Sequence, residues 1–231
     1  MSNSSKSVFV FLIITASISF VSSCKKETVL PKISSYNYFP TTNGKWVRYQ
    51  VDSVYHSEND NNNDDSVYTF QFEVMEKLDS SFLDGEGKEN QIIKYYRRTD
   101  SLSSWNFVNV WTQSLTPTAA YRSENNIRMH KLAFPINSSI TWNGNDANTF
   151  DEEMYHYENI NESGSYNSLF FDSTISVLQI DENNYVEKIY GKEVYATHVG
   201  LIYKERNELG KRNGIVVKGF EVRMKVISFG F

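Results

Sequence analysis

After Tyr38 the chain alternates between apolar and polar residues with a period of two. Over 67–78, Tyr68, Phe70, Phe72, Val74 and Leu78 fall on one face, interrupted by Glu76. Thr69, Gln71, Glu73 and Lys77 fall on the other, with Met75 the exception. Successive side chains of a strand point to opposite faces, so the spacing predicts a half-buried strand. Over 46–55, Val47, Tyr49, Val51 and Tyr55 repeat the pattern. Further strands are predicted over 91–98, 105–113, 127–134, 149–157, 169–180, 185–196, 201–205 and 215–229. Turn residues cluster at 84–87, 143–146, 162–164, 181–184 and 212–214. Strands and turns at this spacing predict an all-β fold over 38–231. The expected form is a single-domain antiparallel barrel, half-barrel or sandwich.

A duplicated half is one reading of two related segments. Tyr38-Phe39-Pro40 leads to Gly44-Lys45-Trp46, and Ala133-Phe134-Pro135 leads to Ile140-Thr141-Trp142, with Pro-to-Trp spacings of six and seven. The other reading is that Pro twice marks a strand start and Trp twice fills a core.

The first 37 residues follow a different pattern. Residues 1–7 are polar, Val8–Ile14 is unbroken apolar, and the apolar character thins towards Val21. A helix over 8–21 would rise about 21 Å, short of the roughly 30 Å of a hydrocarbon core. Residues 1–23 therefore read as a signal peptide. Val21-Ser22-Ser23-Cys24 resembles the bacterial lipobox. The resemblance implies cleavage before Cys24 and three acyl chains on that residue. One chain binds a bilayer marginally, at about 0.8 kcal/mol per buried methylene, so three imply permanent attachment. Residues 24–37, with Pro31 among them, read as a lipidated tether whose last dozen residues reach about 40 Å when extended. Lys25 stands where an inner-membrane lipoprotein of the enterobacterial type carries Asp, which implies the outer membrane, at its periplasmic face or at the cell surface.

Composition narrows the chemistry. Fifteen Tyr, 15 Phe and four Trp are too much apolar surface for a disordered chain. The single Cys is the lipobox residue, which leaves the domain no disulfide, thiol nucleophile or Cys-ligated metal. Net charge is −5; residues 1–23 hold one Lys and no acid, so the remainder carries +22 and −28, or −6. That balance lacks the footprint of a nucleic-acid partner. Lys204, Arg206, Lys211, Arg212, Lys218, Arg223 and Lys225 form a local basic stretch. It is expected to be a solvated hairpin, with a docking patch for an acidic partner as the alternative.

Candidate sites are sparse, and no cofactor or metal ligand set is expected. Asp60, Asn62 and Asp64 match the start of an EF-hand loop, but Asp65 stands where that loop needs Gly and Gln71 where it needs Glu. His156 and Glu158 share a strand face, with Glu152 further along. Trp105, Phe107 and Trp111 are predicted on one face with Asn109, as core or as a sugar-stacking platform. Asp-Ser steps at Ser53, Ser66, Ser101 and Ser173 resemble a Bacteroidota O-glycosylation sequon, which requires exposed hydroxyls. Ile227–Phe231 resembles the last strand of an outer-membrane barrel. Lys225 and Arg223 on that face would cost about 2–4 kcal/mol each in lipid, so a water-facing strand is expected.

The lipobox, the Phe-Pro…Trp segments and His198-Val199-Gly200-Leu201-Ile202-Tyr203-Lys204-Glu205 together resemble a group of uncharacterised Bacteroidota-type outer-membrane lipoproteins. The resemblance implies export and a β-rich fold and carries over no catalytic residue. The expected function is a lipid-anchored, non-catalytic binding or scaffolding module of the cell envelope. Its partner would be a protein, a glycan or an apolar ligand. The alternative is an envelope glycan hydrolase using paired carboxylates.

Overall fold

The computed structural model describes residues 35–58 and 66–231. Ser35–Tyr38 form one 3₁₀ turn. Twelve strands follow: β1 Trp46–Ser57, β2 Ser66–Leu83, β3 Glu89–Arg98, β4 Asn106–Leu115, β5 Ala119–Glu124, β6 Ile127–Ala133, β7 Thr141–Asn143, β8 Met154–Tyr166, β9 Leu169–Asn183, β10 Glu187–Ala196, β11 Gly200–Arg212 and β12 Ile215–Gly230. Each pairs antiparallel with its sequence neighbour, except β6 with β7. The first and last strands close onto each other, Trp46 opposite Gly230 through His56 opposite Gly219. The result is a nearly closed barrel whose single seam, among the described residues, lies between β6 and β7.

The tight turns follow from residues that tolerate positive φ. Asn125-Asn126 (φ 51° and 67°), Asn167-Ser168 (48° and 70°) and Asn213-Gly214 (53° and 79°) supply the two left-handed positions of a primed hairpin turn. The expected turn at 162–164 is instead inside β8. There the β8–β9 ladder slips between Glu158 and Gly164, and Asn159 and Asn161 take φ of 48° and 60°. Those residues mark bulges that bend a long strand, not its end. Two strands escaped the periodicity. Inward Arg122 and Glu124 break the apolar alternation of β5, and β7 is only three residues long.

Two apolar clusters fill the barrel. One gathers Tyr38, Phe39, Leu132, Phe134, Trp142, Tyr155, Tyr157, Ile175, Val177 and Tyr195. The other gathers Tyr49, Val51, Val74, Phe171, Val194, Ile202, Met224 and Val226. The 3₁₀ turn belongs to the body at the end where β1 begins. Tyr36 stacks edge-on with Phe134 at 4.8 Å, and the His198 N–H donates to Asn37 O at 2.7 Å. The two Phe-Pro…Trp segments precede β1 and β7, the first strands of two six-strand halves, 1–6 and 7–12. The outer wall carries ion pairs: Lys94–Asp79 at 2.8 Å, Lys192–Glu158 at 3.1 Å, Arg223–Glu205 at 2.8 Å. Such a wall faces water, not acyl chains. Among the described residues no helix is long and apolar enough to cross a membrane.

Candidate functional site

Alternation turns Glu76, Arg122, Glu124, Glu193 and Lys204 to the inside of the barrel. Lys131 joins them because the β5–β6 ladder slips between Ala120 and Tyr121, which leaves Lys131 without a cross-strand partner. Arg122 Nη2 lies 2.6 Å from Glu76 Oε1, and its Nε lies 2.8 Å from Glu124 Oε1. Neither N–H is aimed along a hydrogen bond. Lys204 Nζ sits between Glu124 (3.8 Å) and Glu193 (3.9 Å). Lys131 Nζ donates to Glu193 Oε1 at 2.7 Å, and the Tyr195 hydroxyl donates to Glu193 Oε2 at 2.5 Å. Three carboxylates thus alternate with three cations.

The pairing sets the protonation states. Burial alone would raise Glu124, but Lys204, Arg122 and Lys131 outweigh it and hold the carboxyl at about 2. Glu193 is likewise lowered against its burial by Lys131 and Lys204. Glu124, followed by Glu193, raises Lys204 against its burial. Tyr195 is pushed well up by burial and then by Glu193. Glu124, Glu193, Lys204 and Tyr195 are each held in the ordinary neutral-pH form.

The space beside this cluster is small. A cavity of about 60 Å³ is bounded by Tyr49, Glu76, Leu78, Ile93, Arg122 and Tyr195. That is room for about two waters, against 300–1,000 Å³ for an ordinary small-molecule pocket. A larger groove of about 550 Å³ opens outward where β1 starts, between Trp46, Phe170, Phe171, His198, Phe229 and Phe231. Trp46 Nε1 donates to Phe231 O at 3.0 Å, and Lys45 Nζ donates to His198 O and stands 5.1 Å from the Phe231 ring.

The residues singled out in the sequence scatter. Cys24 lies outside the described residues, as do Asp60, Asn62, Asp64 and Asp65. Gln71 donates to Asp52 at 2.8 Å. His156 lies 3.9 Å from Glu158, which is engaged by Lys192. Trp105, Phe107 and Trp111 do not share a face. A bulge opposite Tyr95/Tyr96 flips the alternation at Val108. Trp111 points inward against Tyr95 at 4.2 Å, Phe107 is exposed, and Trp105 lies against the Arg98 and Arg48 guanidinium groups at 4.4 and 5.6 Å. Ser173 is buried beside the Tyr38 hydroxyl at 2.7 Å, so that sequon match is sterically closed. The basic stretch is a hairpin, but Lys204 and Arg206 turn inward. Arg206 grips Glu153 with contacts of 2.8 and 3.1 Å. The sequence reading missed Arg122, Glu124, Lys131 and Glu193; the one available signal was Glu76, a carboxylate on an otherwise apolar face.

Several strand stretches pair on one side only, among them β6 at the seam, β4 at Asn106–Trp111 and β2 at Ser66–Phe72. At the seam, β6 is capped by side chains: Asn148 Nδ2 donates to Arg128 O (2.9 Å), Trp142 Nε1 to His130 O (3.0 Å) and the Tyr157 hydroxyl to Ala133 O (2.7 Å). One backbone bond, His130 N–H to Gly144 O at 2.9 Å, spans the gap. Along β2, residues 66–72 pair with β1 alone. Around the β2 edge Tyr55, Val67, Tyr68 and Phe70 are exposed.

No family model matches the chain, and no curated protein matches it. Among solved structures, a presumptive lipoprotein from Parabacteroides distasonis ATCC 8503 is similar at a TM-score of 0.45 and 10% identity, covering 84% of this chain and 98% of that one. A presumptive exported protein with a YmcC-like fold from Bacteroides fragilis NCTC 9343 is similar at 0.44 and 12%, with the same coverages.

Proposed function

We propose that this chain is a docking module of the cell envelope, held at the outer membrane by acyl chains on Cys24 and binding a protein partner through its outer surface. The observation that carries the reading is the contrast between inside and outside. The interior is charge-balanced, and the cavity beside its ion cluster holds about 60 Å³. Large apolar side chains stand in solvent instead, Phe70 at 53%, Phe107 at 56% and Val67 at 58% exposure. Of the exposed apolar side chains, the Tyr55 and Tyr68 rings lie 6.5 Å apart and form contiguous surface of the kind that marks interaction sites.

For the hydrolase reading, the barrel interior offers the carboxylates Glu76 and Glu124. Both are tied to Arg122, and Glu124 at about 2 is ionised at neutral pH. A glycosidase acid needs the opposite, a raised pKa. These facts favour docking over hydrolysis.

Labelled palmitate and membrane fractionation test the anchor in cells of the Bacteroidota type. The label and outer-membrane sedimentation are expected in the native chain and lost in Cys24→Ser. Sedimentation that survives without label removes the anchor. Glycan turnover abolished by Glu76→Gln or Glu124→Gln would replace docking with catalysis.

A further inference from the structure

Ser66–Gln71 form a strand edge that no described strand or side-chain cap occupies; at its end Gln50 Nε2 donates to Phe72 O at 3.2 Å and the Arg97 guanidinium lies 3.7 Å from the Phe72 ring. On one side Ser66–Phe72 pair with β1, from Ser57 opposite Ser66 to Val51 opposite Phe72, without a register shift. On the other side the β2–β3 ladder starts only at Glu73 opposite Arg98. Val67, Tyr68, Thr69, Phe70 and Gln71 are all exposed. Among the described residues, no side chain hydrogen-bonds to the backbone of 66–71. Exposed edges are ordinarily protected by Lys, Pro, a bulge or a covering segment. The run Ser-Val-Tyr-Thr-Phe-Gln-Phe has no charge, no Pro and no Gly. The same barrel caps its β6 edge with three side chains.

We propose that this edge pairs antiparallel with the same edge of a second copy of the chain, about a two-fold axis at Thr69. A two-fold interface must be self-complementary, because each residue meets its mate by symmetry. About Thr69 the run has that property. Tyr68 of one copy falls opposite Phe70 of the other, Val67 opposite Gln71, and Thr69 opposite itself. Aromatic–aromatic and Thr–Thr pairs are favourable cross-strand neighbours, and no like charges are opposed. Tyr55, whose ring lies 6.5 Å from Tyr68, widens the aromatic face on each side. Backbone bonds along the joined edges satisfy groups that otherwise depend on water. The pairing does not depend on the lipid anchor.

Cysteine cross-linking of the full chain in its membrane tests the register. Residues directly opposed across an antiparallel pair have Cα atoms about 4.5–5.5 Å apart, within disulfide reach. Mild oxidation is expected to convert most of Thr69→Cys into a disulfide-linked dimer. Val67→Cys alone is expected to stay largely monomeric, and Val67→Cys co-expressed with Gln71→Cys to cross-link. Cys24 is common to all variants, so it produces no dependence on position. In detergent, the purified native chain is expected to sediment with twice the monomer mass. Thr69→Lys, which opposes two cations at the axis, is expected to sediment as monomer with an unchanged circular-dichroism spectrum. A native monomer, equal cross-linking at Val67 and Thr69, or capture of a different protein by Thr69→Cys would each overturn the proposal. Loss of membrane attachment with the dimer intact would instead strike only at the anchor.

Discussion

The β6 edge at the seam and the β2 edge above Phe72 are both strand edges without a neighbouring ladder, yet they are finished differently. At the seam, Asn148, Trp142 and Tyr157 aim donors at the carbonyls that a longer β7 would have met. Trp142 does two things there, since its ring also packs on Tyr157 at 4.7 Å and Tyr155 at 5.8 Å. At β2, among the described residues, no side chain reaches the backbone of 66–71, and only Phe72 at the end accepts one bond, from Gln50 at 3.2 Å. The comparison teaches that a short strand such as β7 suffices where side chains replace its hydrogen bonds. It also teaches that an edge left bare in the same molecule is open to a partner strand.

The largest effect expected from breaking this contrast is at Trp142. Trp142→Ala removes a buried ring and the cap on His130 O, and is expected to destabilise the barrel by about 3–5 kcal/mol in urea unfolding. Faster hydrogen exchange at β6 amides should accompany it. Next comes acid. The folded pKa of Glu124 lies near 2, below its ordinary 4.5. Its stabilisation is therefore complete above 4.5 and is lost as pH falls from 4.5 towards 2, on the order of 3 kcal/mol. Ser66–Phe72 contain no titratable acid or base with an ordinary pKa in that window. Self-association measured by sedimentation is thus expected to hold from pH 7 to 5, while thermal stability begins to fall below 4.5. Asn148→Ala should cost about 1 kcal/mol, the worth of one side-chain cap, and leave the mass of the particle unchanged. The smallest stability effect belongs to Thr69→Lys, within about 0.5 kcal/mol of the native chain, because the position is exposed. A loss above 2 kcal/mol there would show that the edge is already packed within the monomer.

The all-β class and ten of the strand positions were legible because alternation at one water-facing wall is a local property of sequence. Bulges were not. Val108 and Lys131 each shift the alternation by one, and nothing in their neighbours announces it. That shift separated Trp105 and Phe107 from Trp111, and it carried Lys131 to Glu193. The interior charge cluster was equally hidden, because Glu76, Arg122, Glu124, Lys131, Glu193 and Lys204 come from five strands. Each but Glu76, which interrupts an apolar face, reads alone as a surface residue. Only the closed sheet brings them within 4 Å of one another.

The chain enters its body through the Ser35–Tyr38 turn, beside His198 and the start of β1, whereas the bare stretch of β2 lies where β1 ends. Antiparallel union at that stretch would make an elongated particle with one entry point at each tip. Were each Cys24 lipidated as proposed, two anchors so far apart would reach a common bilayer only with the particle reclining on it, long axis along the surface. An upright pair would have to stretch between two facing membranes.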